Sequence, residues 1–357
     1  MPGGVRRAAS AASPASARPP PARRPFAAKW PLVVTSTVEV TTSGHLSGSC
    51  GRPRRRESVL GDGDPVREEP IITRTTAGHR VETPQGRSSR TTLRNRGALS
   101  PTQGILLEKA RSPLDVARAV LSVLPPDTVV SHTSAARLLN LPLPERWSPL
   151  EPVHVTVRPP RRAPRRRGVI GHKADTLIAT SVDGVPCTSL AATWAQLAGM
   201  LSSPDLVAVT DAVLGRECRV QGLVTPELLA TVMPRGARGA ASARDALLRA
   251  DGGAASRKET QLRLLVASWG VPTPCVNADI FDEVGGWVAT CDLVWFEQKV
   301  ALEYEGDHHR TNRRQWQHDI ERIRLLESLG WDVKRATSQD LRRPARLREA
   351  LLAALNR

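Results

Sequence analysis

Near the carboxyl end, two short runs, CDLVW (291–295) and VALEYEG (300–306), sit four residues apart with FEQK between them. Neither run is long enough for a helix, and both alternate apolar with polar side chains, so they read as the two strands of a hairpin. With Glu297 and Gln298 as a two-residue turn, Asp292 faces Glu303 and Thr290 faces Glu305. Opposed side chains share one face of a sheet with their Cβ atoms about 4.5–5.5 Å apart. Asp292, Glu303 and Glu305 are then expected on one face, and Cys291, Leu293, Leu302 and Tyr304 on the other. Like charges set opposite each other destabilise a hairpin unless something neutralises them. A hard divalent cation with oxygen ligands is a natural neutraliser. The register is the condition, because a slip of one residue separates the acids.

The flanking segments place this hairpin within a larger unit. SRKETQLRLLVASWG reads as a helix, PCVNADIFD as a strand closed by a turn over Glu283 to Gly286, and GWVATCDLVW as the strand that enters the hairpin. TNRRQWQHDIERIRLLESLG is a long helix with Trp316, Ile320, Ile323 and Leu326 on one stripe, and Gly330 falls where a helix C-cap is wanted. WDVKRAT is a last strand and PARLREALLAAL a closing helix, giving the order α-β-β-β-α-β-α. Five of the eight tryptophans lie in this stretch, which argues for an aromatic-rich core. Gly306 permits an abrupt exit from the strand into Asp307, His308 and His309. A metal-bound water beside a histidine suits phosphodiester hydrolysis.

The segments CDLVW, KVALEYEGDHHR, QWQHDIERIRLLESLGW and VKRAT, preceded by the Glu-Thr pair 259–260, resemble the very-short-patch-repair-like endonuclease domain. That domain is a branch of the PD-(D/E)XK restriction-endonuclease-like superfamily, and the resemblance covers residues 254–345. It implies an αβββαβ core, DNA as partner, and Mg²⁺- or Mn²⁺-dependent cleavage of DNA of the kind used in repair. Carried over residue by residue, Asp292 matches the strand aspartate and Glu303 the second acidic metal ligand. Glu305 falls where many members carry a lysine and where this branch usually has an acid. The absent lysine leaves proton transfer to His309, with Lys299 a weaker stand-in. Glu259 matches the helix acid that often completes such sites. Each residue also has a plainer reading. Ser256 and Glu259 form the pattern of a capping box, Glu303 and Glu305 suit a solvated strand face, and Asp307, His308, His309 and His318 suit a loop or surface.

Upstream, LEKARSPLDVARAVLSVLP has helical spacing and stops at Pro125-Pro126, and Ser131 is a suitable N-cap for HTSAARLLNL. EPVHVTV alternates as a strand, GVIGH, TLIAT and VPCTSL are further short strands, and SLAATWAQLAGML and DLVAVTDAVLG are helices. Between the first two strands, Arg158, Arg161, Arg162, Arg165, Arg166 and Arg167 are punctuated by prolines. Such a run can track a phosphate backbone, or it can be a solvated loop. Arg310, Arg313 and Arg314 add a second basic cluster beside the acids. SHTSAARLLNLP, VHVTV, RRGV and VPCTSLAATW resemble, over residues 106–200, the winged-helix region of AbiEi-type antitoxin proteins, which implies that this part binds DNA.

The expected organisation is a mixed α+β chain: a disordered basic tail (1–100), a winged-helix-like α+β domain (101–235), a linker with a short helix (236–255) and a restriction-endonuclease-like domain (256–357). Lys and Arg exceed Asp and Glu by 16, and the first hundred residues supply ten of that excess. The charge is thus concentrated in a Pro/Ala/Arg-rich segment where only Leu32 to Val40 looks strand-like. Five widely spaced cysteines exclude a zinc ribbon and a disulfide framework, and fit a reducing cytoplasm. No run is long and apolar enough for a membrane span, and no Walker-type loop signals a nucleotide cofactor. The expected function is a metal-dependent DNA endonuclease. The alternative is a catalytically inactive DNA-binding regulator of antitoxin type.

Overall fold

The structure is a computed structural model that describes residues 97–108, 110–215, 224–306 and 313–357, with three short strands ahead of them; for those strands and for 313–318 it describes the backbone alone. The strand-like run from Leu32 to Val40 lies outside the described residues.

Structure begins earlier than the composition suggests. Strand β1 (Ile72–Arg74) pairs antiparallel with β4 (Ile105–Leu107), Ile72 opposite Leu107, while β2 (Arg80–Thr83) and β3 (Gly86–Ser89) form a hairpin. Composition misses this because β1 takes its pairing from a partner about thirty residues away, across a polar stretch of sequence.

Helix α1 (Pro113–Leu121) starts at a capping box in which Ser112 and Asp115 satisfy each other's backbone N–H, with Pro113 in the first turn where no donor is needed. There follow β5 (Val129–Val130), α2 (His132–Leu138), β6 (Val153–Val157), β7 (Arg165–Arg166), β8 (Val169–Lys173), β9 (Ala179–Val182) and β10 (Val185–Thr188). These strands make one mixed sheet in the order β7-β8-β6-β5-β10-β9, with β6/β8 and β5/β10 parallel. The arginine-bearing pair β7–β8 is therefore the edge of a six-stranded sheet rather than a free-standing wing. Alternation in β6 predicts His154 and Thr156 on an outward face, yet all five of its residues are buried. Both faces of this strand are covered.

Helices α3 (Leu190–Leu197), α4 (Ser203–Val213), α5 (Pro226–Val232) and α6 (Ala240–Arg249) complete the unit. They build a core around Trp194, Leu197, Leu206 and Leu229, and the Trp194 indole donates to Thr210 Oγ1 at 2.8 Å. Helix α6, expected within a linker, contributes Ala243 and Ala246 to this core and packs on α4.

The last unit runs α7 (Arg257–Ala267), β11 (Cys275–Phe281), β12 (Trp287–Trp295), β13 (Val300–Tyr304), α8 (Arg313–Ser328), β14 (Asp332–Ala336), α9 (Ser338–Arg342) and α10 (Ala345–Leu355). Its four strands lie in chain order, β11 to β13 antiparallel and β14 parallel to β13. One face packs Leu293 and Leu302 against Leu262 and Val266 of α7 and Leu351 of α10. The other packs Ile280, Cys291 and Ala301 against Leu326 of α8 and Trp331. Gly330 adopts φ +82°, the left-handed conformation anticipated after α8. The whole is a mixed α+β protein with two mixed sheets. Among the described residues no helix is long and apolar enough to cross a membrane.

The two units meet along α4 and α7. Asp211 is buried, and its carboxylate accepts from Thr260 Oγ1 at 2.8 Å, Arg263 Nη2 at 2.9 Å and the Asp251 amide at 2.8 Å.

Candidate functional site

The hairpin has the register read from the sequence as far as Leu293 opposite Leu302, Val294 opposite Ala301 and Trp295 opposite Val300. The turn closes with the Lys299 amide donating to the Phe296 carbonyl, which makes Glu297 and Gln298 its central pair. Lys299 sits at φ +51° and its ammonium donates to the Leu329 carbonyl at 3.0 Å. It is committed to the turn end of β13, away from the acids, and does not serve as the stand-in lysine.

Beyond Leu293 and Leu302 the ladder stops. The expected pair Thr290 and Glu305 does not form, because Thr290 donates its hydroxyl to Asp279 on β11 while Glu305 pairs through its backbone with Ala336. The expected face assignment also changes. Leu293, Leu302 and Tyr304 pack toward α7, but Cys291 packs toward α8. The cause lies in β11. Asn277 is held at φ +45°, a conformation that costs a non-glycine residue about 1–3 kcal/mol, so Val276 faces the α7 side and Ala278 the α8 side. Asp292 stands opposite Asn277, between the rungs Val276–Leu293 and Ala278–Cys291. It occupies a break in the alternation. Its carboxylate accepts the Tyr304 amide at 2.7 Å, which ties β12 to β13 where their own ladder has ended.

Glu259 is buried and joins the same break from the helix side. Its carboxylate accepts the Ala255 amide at 2.7 Å and the Asn277 side-chain amide at 2.9 Å, while its own N–H donates to Ser256 Oγ at 3.2 Å. The expected capping box is therefore only half formed: Ser256 caps the Glu259 amide, but the Glu259 carboxylate bonds the Ala255 amide, one residue before the N-cap, and the Asn277 side chain.

Glu303 is directed to the α8 side. Arg322 of α8 grips it through both nitrogens, Nη1 to Oε1 and Nη2 to Oε2, the second at 3.0 Å. Burial alone would raise the pKa of Glu303, but the Arg322 hydrogen bonds and charge, with help from Cys291 and Arg335, bring it below the usual carboxylate range. Burial pushes the neighbouring Cys291 thiol up, and Glu303 adds to that shift, so the thiol stays protonated and bonds the carboxylate. The sequence reading assigned neutralisation of this acid to a cation; in the structure a guanidinium from the following helix supplies it. Glu305 is exposed and lies 3.6 Å from Arg335.

Among the described residues, Asp292, Glu303, Glu305 and Glu259 do not converge as one set of ligand atoms. Asp307, His308, His309 and Arg310 lie outside the described residues, as do the side chains of Arg313, Arg314 and His318.

The arginine run divides into two groups. Arg158 donates to the Leu177 carbonyl at 3.0 Å, Arg161 pairs with Asp127, and Arg166 donates to Thr102 Oγ1 at 3.0 Å and to the Gln103 carbonyl. Arg162, Arg165 and Arg167 are exposed, and the described ion pairs include none of them. Gly168 behind them is at φ +74°, and a Cβ there would lie 1.8 Å from the Pro101 carbonyl oxygen, so only glycine closes this edge.

A second cluster was not anticipated. His132 opens α2, His154 lies mid-strand in β6 and His172 lies in β8. The His154 and His172 rings are in hydrogen-bond contact, Nδ1 to Nε2, at 2.9 Å, and His132 stacks on His172 with ring centroids 3.7 Å apart. One nitrogen from each ring lies within 4.8 Å of the others. Burial, reinforced by the neighbouring rings, lowers the pKa of His132 to about 3 and that of His154 to about 4; burial also lowers His172. The available signal was three of the eight histidines falling at element starts and strand interiors in one unit. Nothing in their spacing marks them as neighbours, because β6 and β8 become adjacent only through a parallel pairing around the arginine loop.

No family model matches the chain, and no solved structure matches it. Two uncharacterized proteins, from two strains of Mycobacterium tuberculosis, are each 32% identical to it over 177 residues, which is 49% of this chain. The chain spans 64% of the length of those relatives.

Proposed function

We propose that this protein acts on DNA and that its last unit is a metal-dependent endonuclease of restriction-endonuclease-like fold. The observation that carries the reading is the break at Asn277, where a strained strand sets Asp292 opposite Asn277 and the buried helix acid Glu259 accepts from the Asn277 side chain. Strained backbone beside a buried acid is a feature of functional sites. The element order α-β-β-β-α-β and the parallel β13–β14 pair support the same fold.

The acids fit a divalent cation in kind, being oxygen donors on adjacent strands. Asp292 and Glu303 would hold it once Arg322 releases Glu303; bound there, it would supply activation of water and stabilisation of phosphate charge. The chain's own contributions follow from geometry. Asp292 fixes the mouth of the hairpin through Tyr304, and Arg322 keeps Glu303 anionic. Glu259 holds Asn277 in its left-handed conformation. In the first unit, the edge arginines Arg162, Arg165 and Arg167 would lie along the phosphate backbone.

The Arg322–Glu303 pair favours a second reading, a DNA-binding regulator in which the guanidinium permanently replaces the ion. Nicking of supercoiled plasmid, with Mg²⁺, Mn²⁺ or EDTA, separates the two. The nuclease reading expects metal-dependent nicking by the wild type that falls at least a hundredfold in Asp292→Ala and Glu303→Ala, since each removes charge stabilisation worth about 2.7–4 kcal/mol. Equal nicking by all three proteins refutes it. Absence of cleavage with DNA binding that survives Asp292→Ala establishes the regulator.

A further inference from the structure

We propose that His132, His154 and His172 form a binding site for a zinc-class transition-metal ion, which clamps the arginine-bearing edge of the six-stranded sheet to α2. The inference is independent of the nuclease reading and concerns the other unit.

The geometry is close to what such an ion needs. Zn²⁺ bound by imidazole at about 2.0–2.1 Å in tetrahedral geometry separates its nitrogen ligands by about 3.4 Å. The three rings offer one nitrogen each within 4.8 Å, and one pair is already at 2.9 Å. His132 is stacked on His172, so loading requires its ring to leave that stack and turn its edge toward the His154–His172 pair, whose nitrogens move apart from 2.9 Å. On loading, the proton shared between His154 and His172 moves to the outer nitrogen of its own ring, and both inner nitrogens present lone pairs.

The supports behind the rings are fixed by hydrogen bonds. The Ser131 amide donates to the His154 carbonyl at 2.9 Å, the His154 amide donates to Ser134 Oγ at 2.9 Å, and the His132 amide donates to Gln196 Oε1 at 2.8 Å. His132 itself is held at φ +52°. Its Nδ1 is 3.0 Å from Ser131 Oγ, and with Nδ1 donating to that oxygen, Nε2 keeps its lone pair. Hydrogen bonds of this kind orient the rings of metal-binding histidines.

Three imidazoles with no carboxylate select Zn²⁺ and its neighbours such as Co²⁺ and Ni²⁺ over Mg²⁺, which prefers oxygen. Three protein ligands leave a fourth position for water.

His172 is on β8, whose other neighbour is β7 with Arg165 and Arg166. An ion joining β8 to β6 and α2 therefore stiffens the strand pair that displays the exposed arginines.

The test uses the full chain, stripped with EDTA and dialysed, then titrated with Zn²⁺ against a chromophoric chelator, with Co²⁺ in parallel. One equivalent of Zn²⁺ is expected, with visible d–d bands of four-coordinate Co²⁺ and a rise in melting temperature on loading. His172→Ala and His154→Gln are expected to lose that equivalent while keeping the wild-type circular dichroism of the metal-free protein. Cys275→Ser, which removes an exposed thiol able to bind zinc on its own, is expected to retain it, as is Asp292→Ala. Zinc binding that persists in folded His172→Ala or His154→Gln overturns the proposal, and so does a wild type that takes up no Zn²⁺. If both variants fail to fold, the Co²⁺ spectrum of the wild type decides: thiolate charge-transfer bands, or no d–d bands, count against the three rings.

Discussion

Replacing Asp211 by alanine probes the joint between the two units. The side chain is 1% exposed, and its carboxylate receives the Arg263 guanidinium, the Thr260 hydroxyl and the Asp251 amide, with the Gly252 amide at 3.4 Å. Truncation leaves Arg263, itself 13% exposed, without its counter-charge and removes the acceptor of the buried Gly252 amide. Breaking one side of a buried ion pair costs about 3–5 kcal/mol. With an unfolding entropy of about 2.1 cal/mol/K per residue, each kcal/mol lowers the melting temperature of a chain of 357 residues by about 1.3 °C, so the loss should be roughly 4–7 °C. Differential scanning calorimetry of the full chain measures it. Removing both charges in Asp211→Ala/Arg263→Met should recover part of the loss, because the orphaned guanidinium is gone. A single variant melting within about 2 °C of wild type, or a double variant no better than the single, would refute this account of the joint.

Two further outcomes are expected. The histidine trio makes stability depend on pH with a definite sign: the folded state lowers these pKa values, so below about pH 6.5 the unfolded chain binds more protons than the folded one. In EDTA, melting temperature should therefore be level above pH 6.5, fall between pH 6.5 and about 4, and lose much of that slope in His154→Gln; an unchanged slope in the variant contradicts the assignment. For DNA affinity measured against salt, Arg162→Ala, Arg165→Ala and Arg167→Ala combined should reduce the log–log slope by about three, and an unaltered slope would show that this edge does not meet phosphate.

The parts of the fold legible in the sequence are those set by local period. The hairpin register from its turn to Leu293 opposite Leu302, the α-β-β-β-α-β order and the Gly330 cap each depend on residues close in the chain. The cap that Ser256 makes to the Glu259 amide was visible for the same reason, although the Glu259 carboxylate returns to the Ala255 amide rather than to that of Ser256. What escaped depends on distant partners. Arg322 lies nineteen residues from Glu303 and reaches it only when α8 packs on the sheet. The Cys291 face was misassigned because strict alternation assumes an unbroken strand, and one asparagine in β11 breaks it. His154 looked like the polar half of an alternating strand, since nothing local shows that a second layer covers that side. The pairing of Ile72 with Leu107 was hidden by the polar composition between them.

The inverted step at Asn277 has a bearing on how this sheet tolerates an ionisable side chain. A slipped strand normally turns its whole oily side to water. Here the reversal is confined to one rung, so the apolar residues before and after it each still find a helix. Asp292 is the residue that the exchange leaves over. The sandwich thus admits a carboxylate to its middle layer without surrendering a single packing position, and straightening the strand would have to expel either that acid or a leucine.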